Sequence, residues 1–100
     1  MKTIKEIKNM SLITTNVINM DMNDAEFAKE IIECIDRHAN NDFGDLGEED
    51  VKANLKALKD NLKYDRILSR YKTSKGDIYV ITEQHEDNIY VTTVLYCHEY

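Results

Sequence analysis

The sequence predicts an α+β fold: two helices packed on a small antiparallel sheet that ends in a three-stranded meander. Three observations predict it. Apolar residues recur at helical spacing in two segments between residues 23 and 61. After Asn61 the pattern changes to the period of two that strands use. Helices followed by strands, instead of alternating with them, point away from a parallel α/β sheet.

Taken in order, residues 1–10 read as a basic lead, mobile or weakly helical, and Ser11 to Ile18 carries the Thr, Val and Ile content of a short strand. "NDAEFAKEIIECIDRH" predicts a helix over 23–38. Asn23 serves as its N-cap, Glu26 stands at capping-box spacing, and Asp24 favours the positive end. Phe27, Ile31, Cys34, Ile35 and His38 then fall on one face. Glu48, Glu49 and Asp50 open a second helix over 48–61, with Val51, Leu55, Leu58 and Leu62 on its apolar side. "DRILSRYKT", "DIYVITE" and "NIYVTTVLY" are strands, joined by a tight hairpin at Gly76 and a polar turn in "QHEDN". Alternation places Ile78, Val80, Ile89, Val91, Leu95 and Cys97 on the buried face, with Tyr79 and Tyr90 opposite.

A chain of 100 residues with 42% hydrophobic content and no proline fits one domain, residues 1–100, with one core. Nineteen acidic residues against thirteen basic ones give a formal charge of -6. That charge repels phosphate backbones and anionic lipid, so direct nucleic-acid or membrane binding is not expected and a protein partner is. Cys34 and Cys97 form no CxxC pair. Neither a signal peptide's apolar run nor the ~20 apolar residues of a membrane helix is found, so a cytoplasmic location is expected.

The most motif-like stretch is "NNDFGDLGEED", residues 40–50. Asp42-Phe43-Gly44 matches the magnesium tripeptide of protein kinases, but the chain has no glycine-rich loop and no HRD motif. A calcium loop starting at Asp42 would place Gly44, Leu46 and Ala53 where oxygen ligands are needed. Both assignments fail, which leaves a turn whose glycines absorb unusual backbone angles between two helices, with weak cation binding by Asp42, Asp45 and Glu49 as the alternative. Cys34 and His38, four apart on one helix face, together with Cys97 and His98 make the best zinc set, yet the face they share with Phe27 and Ile31 argues for core instead. No metal or cofactor is therefore assigned. His38, Asp42 and Glu83 centre the alternative reading, a small metal-dependent or acid-base enzyme, without any nucleophile elbow or phosphate loop to go with them. The tyrosines, Tyr64, Tyr71, Tyr79, Tyr90, Tyr96 and Tyr100, are numerous for this length and suit a binding face.

From residue 37 onward the chain resembles a family of small proteins found on bacterial plasmids and other mobile elements. That family's pattern runs roughly RHxxGDWGxVxxEDxxxNxxAL, then RLLSxYxTxxGxxxWVITE, then TTVLLPEEY. The matching text here is "RHANNDFGDLGEEDVKANLKAL", "RILSRYKTSKGDIYVITE" and "TTVLYCHEY". Asn41 replaces glycine, Phe43 replaces tryptophan and Cys97 replaces proline, and the loops after Leu58 and Glu83 are longer. The resemblance implies a mobile-element setting more than a mechanism. It also implies a shared structural or binding role for His38, Asp42, Arg66 and Glu83, and Tyr71 falls inside the same pattern. The expectation is thus an acidic regulatory protein that works by protein-protein interaction, with anti-defence as one version and a homodimer as another. Its candidate binding residues are His38, Asp42, Arg66, Tyr71 and Glu83.

Overall fold

A computed structural model describes residues 2–63 and 65–100. Tyr64, one of the tyrosines noted above, lies outside the described residues. Among them, seven elements follow a 3-10 turn at Ile4–Glu6: β1 Met10–Thr14, α1 Asn16–Asp21, α2 Ala25–Ala39, α3 Glu48–Lys59, β2 Ile67–Thr73, β3 Gly76–Glu86 and β4 Ile89–Tyr96. A second 3-10 turn, Cys97–Glu99, closes the chain. The class is α+β, as expected, but with three helices and a mixed sheet of order β1-β4-β3-β2. β2, β3 and β4 form the antiparallel meander; β1 joins parallel to β4, so the expected all-antiparallel sheet is corrected.

The expected strand from Ser11 to Ile18 is cut short by a cap. Thr15 adopts an extended conformation and its hydroxyl accepts from the Ile18 amide at 3.4 Å, which starts α1 and turns Ile18 into the core. The N-cap of α2 is Asp24, not Asn23: Asp24 takes the extended backbone of a cap, and it is its carboxylate that reaches the first-turn amides. Asp24 Oδ1 then accepts from the Glu26 and Phe27 amides. α3 stops at Lys59, short of the expected 61, where Asn61 and Leu62 take φ of 55° and 57° and the Leu62 amide donates back to Ala57 at 2.8 Å. The N-terminal lead is pinned: the Asn41 side chain donates to the Lys2 carbonyl and accepts from the Ile4 amide, and Ile4 is buried.

All three helices lie on one sheet face, where Ile67, Ser69 and Tyr71 of β2 and Ile78, Val80 and Thr82 of β3 point inward. On β4 the inward set is Tyr90, Thr92, Val94 and Tyr96. The expected buried set Ile89, Val91, Leu95 and Cys97 is therefore on the wrong face, and Tyr90 is a core residue, not a partner of Tyr79. Both alternating sets of β4 are apolar enough to be buried, and the pairing of Val80 with Val94 and of Ile78 with Tyr96 decides between them.

The core has two apolar halves. Ile18, Phe27, Ile31, Cys34, Tyr71, Val80 and Val94 belong to one; Ile4, Phe43, Ala57, Leu58, Leu62, Ile67 and Tyr90 belong to the other. Between them Ser69, Thr82 and Thr92 form a polar seam across the three meander strands, and all three are buried.

Candidate functional site

His38 sits in that seam. It is 1% exposed, on the last turn of α2, and the small side chains of Ser69, Thr82 and Thr92 leave the recess that its ring fills. Nδ1 lies 2.6 Å from Ser69 Oγ and Nε2 lies 2.8 Å from Thr82 Oγ1. Thr82 Oγ1 is 2.7 Å from Thr92 Oγ1, and Thr92 donates to Met10 Sδ at 3.1 Å. The chain of donors has one consistent direction. A thioether only accepts, so Thr92 gives it its single proton and must accept from Thr82. Thr82 then accepts from His38 Nε2–H, and Ser69 donates to Nδ1. The neutral Nε2–H tautomer satisfies every group, and a proton on Nδ1 would require the Ser69 hydroxyl to turn from donor to acceptor. Burial pushes the imidazole pKa down to about 4, in the same sense.

The Asp42-Phe43-Gly44 turn follows α2 directly, and each residue has a structural task. The Asp42 carboxylate receives a fork from Arg37, Nε at 2.7 Å and Nη2 at 3.2 Å, and also accepts from the Gly44 amide. The Arg37 guanidinium beside it holds its pKa below the ordinary carboxylate value. Phe43 is a buried plug in the second half of the core. Gly44 has φ of 73°, and a Cβ there would lie 2.0 Å from the Arg70 carbonyl oxygen. That approach is what the turn is for: Arg70 N–H donates to the Phe43 carbonyl and Asp45 N–H donates to the Arg70 carbonyl, so the turn pairs with the outer edge of β2. Asn54 of α3 seals the same edge one step away, donating to the Leu68 carbonyl at 2.8 Å and accepting from its amide at 3.0 Å. Tyr71 completes the clamp. Its hydroxyl donates to the Asp42 carbonyl at 2.5 Å, Arg37 lies 4.8 Å over its ring, and burial pushes its pKa up to about 12.

Arg66 and Glu83 lie elsewhere, both lining an open groove of about 580 Å³ with Asp50, Asn54 and Asp65. The five nominated residues thus divide: Asp42 with Tyr71, Arg66 with Glu83, and His38 inside. Glu83 follows the inward-facing Thr82 on β3, so its side chain leaves on the opposite sheet face from His38, and the Asp42 carboxylate is committed to Arg37. The sheet also separates the cysteines. Cys34 is in the core with its thiol pushed up to about 11 by burial, whereas Cys97 lies beside Arg70 and Asp77. Among the described residues no three His, Cys, Asp or Glu side chains gather around one point.

The sheet face opposite the helices carries the nominated Arg66 and two of the tyrosines expected at a binding face, together with Arg70, which sequence reasoning passed over. Arg66 lies 5.2 Å over the Tyr100 ring, Tyr100 meets Tyr79 edge-on at 5.5 Å, and Arg70 lies 5.8 Å over Tyr79. Arg70 also pairs with Asp77 at 2.8 Å. Half-buried Leu68, Val91 and Leu95 share this face. Arg70 was detectable in principle, since it alternates with the inward Ser69 and Tyr71; Tyr100 was among the tyrosines singled out, but its place on this face was not legible, because a 3-10 turn carries it back over the sheet. No family model, curated protein or solved structure matches this chain. Among the described residues no helix is long and apolar enough to cross a membrane.

Proposed function

We propose that this chain is a small binding protein that acts by protein-protein contact through the uncovered face of its sheet, in the setting of a mobile element. The observation that carries this reading is the linked row Arg66, Tyr100, Tyr79 and Arg70 on a sheet face that no α-helix covers among the described residues. Arginine and tyrosine are the side chains most often found at the energetic centre of interfaces, and here each holds its neighbour in place before any partner arrives. The half-buried Leu68, Val91 and Leu95 around them supply apolar area that can be dried on contact.

The mobile-element setting rests on the resemblance, and two of its departures have a physical account. Asn41, where the pattern has glycine, adopts φ of 63°, a conformation that glycine and asparagine share most readily. Phe43, where the pattern has tryptophan, is a buried aromatic plug. The acidic charge does not gather on one helix: α2 carries four acidic residues against Lys29 and Arg37, and α3 carries three against three lysines. Contact through the open sheet face is therefore favoured over acidic mimicry of a nucleic-acid strand.

Affinity capture from a host carrying the element, with wild type and a Tyr79→Ala/Arg66→Ala variant side by side, tests the reading. A captured partner should bind the double variant at least ~10-fold more weakly, with circular dichroism unchanged. Equal binding by the two proteins would remove the open face from the account. Affinity that collapses as salt rises would assign the contact to the acidic surface instead.

A further inference from the structure

The two edges of the sheet are treated differently. β2 is closed by the turn at residues 43–45 and by Asn54, whereas nothing among the described residues pairs with the outer edge of β1. The parity of the β1–β4 ladder says which groups that edge presents. Tyr90 N–H donates to the Asn9 carbonyl and Thr15 N–H donates to the Val94 carbonyl, so odd-numbered residues serve β4. The N–H and C=O groups of Met10, Leu12 and Thr14 point away from the sheet.

This edge also lacks the devices that keep edge strands apart. From Asn9 to Met20 there is no charged residue and no proline, and β1 pairs without a bulge. Leu12 is 54% exposed and Ile13 50%, and Val17 and Met20 of α1 are exposed beside them. A mainly apolar groove of about 170 Å³, lined by Ile4, Ile7, Met10, Leu12 and Ile35 with Lys5 as its one lysine, runs under the strand on its helix side.

We propose that the occupant of this edge is a second copy of the chain, paired β1 to β1 antiparallel about a two-fold axis at Leu12. Leu12 then faces Leu12 of the other protomer, and Met10 faces Thr14. These three pairs, Leu12 with Leu12 and Met10 with Thr14 twice, each consist of two outward-facing residues and exchange both of their hydrogen bonds, about six in all. The sheet becomes continuous through eight strands, Leu12 of each protomer extends the other's apolar groove, and Ile13 is covered on the open face. Charge favours the antiparallel sense. Lys2, Lys5 and Lys8 outweigh Glu6 before β1, while α1 after it carries Asp21 and no basic residue, so antiparallel pairing sends each net-basic lead toward the partner's α1. Parallel pairing would set Lys8 against Lys8. This inference concerns the sheet edge and stands whether or not the open face binds a host protein.

Sedimentation equilibrium on the full chain tests it, with Leu12→Lys and Leu12→Glu made as single variants. Wild type should show a species of twice 11.7 kDa at concentrations on the order of 100 µM. Each variant places two like charges at the two-fold axis and should dimerise at least ~10-fold more weakly, while an equimolar mixture of the two restores a dimer. Circular dichroism on both variants separates lost pairing from lost fold, and amide exchange at Leu12 and Thr14 should slow in wild type as concentration rises. A wild type that stays at 11.7 kDa, a Leu12→Lys protein that dimerises as well as wild type, or two folded variants that fail to pair in the mixture would each overturn the proposal.

Discussion

Lowering the pH should destabilise this protein through His38, over a window set by its buried seam. In the folded chain the imidazole is neutral and titrates at about 4, against an ordinary value of 6.5. The unfolded chain therefore binds the proton first as pH falls. The stability contributed by the neutral ring is fully present above pH 6.5 and drains away as pH drops toward 4. Each pH decade is worth ~1.4 kcal/mol, so at pH 4.5 about two decades of preferential protonation cost about 2.5 kcal/mol. For a chain of 100 residues, whose total stability is of order 5–15 kcal/mol, that is a lowering of Tm by ~10–20 °C. The assay is urea unfolding followed by circular dichroism at pH 7.5, 6.5, 5.5 and 4.5, on wild type and on His38→Gln. Glutamine offers Thr82 a donor but does not titrate, so the variant starts less stable and loses less on acidification. Carboxylates common to both proteins, including Asp24 held low by Lys75 and Asp42 held low by Arg37, cancel in the difference. Parallel stability curves for the two proteins between pH 7.5 and 4.5 would refute the argument that the seam keeps the ring neutral.

Two further substitutions probe the seal on β2. Gly44→Ala should destabilise by about 3 kcal/mol or more, because it adds a left-handed φ penalty to a Cβ set 2.0 Å from a backbone oxygen that cannot retreat without unpairing β2; a urea midpoint equal to wild type would contradict the turn's part in the edge. Asn54→Ala leaves the Leu68 amide and carbonyl without their partner and should cost about 2–3 kcal/mol, with the Leu68 amide exchanging faster while the remainder of β2 and β3 keeps its protection.

Local chemistry in the sequence accounts for much of this. The face of α2 that carries Phe27, Ile31, Cys34 and His38, the acidic start of α3 and the three meander strands are each written in a contiguous stretch, where period and capping chemistry suffice to read them. The misreadings share a cause. In β4 the sets Ile89-Val91-Leu95 and Tyr90-Val94-Tyr96 are nearly equal in apolar content, so only pairing with β3 selects the buried one. α1 is hidden because Val17 and Ile18 look like strand until Thr15 caps a helix. The candidate residues behaved the same way. His38, Asp42 and Tyr71 could be singled out from their types and positions, but that the first lies in a polar seam and the other two in an edge clamp depends on contacts across some thirty residues of chain.

What the sequence by itself determined is the α+β class, the helix faces and the hairpin at Gly76, because those follow from neighbours within a few residues. Only the tertiary structure decided that β1 adds in parallel, that one sheet edge is sealed and the other left open, and that Arg66, Arg70, Tyr79 and Tyr100 share a face. Sheet edges and faces are properties of strand order, and strand order is set by which distant surfaces bury each other, a choice that no local period encodes.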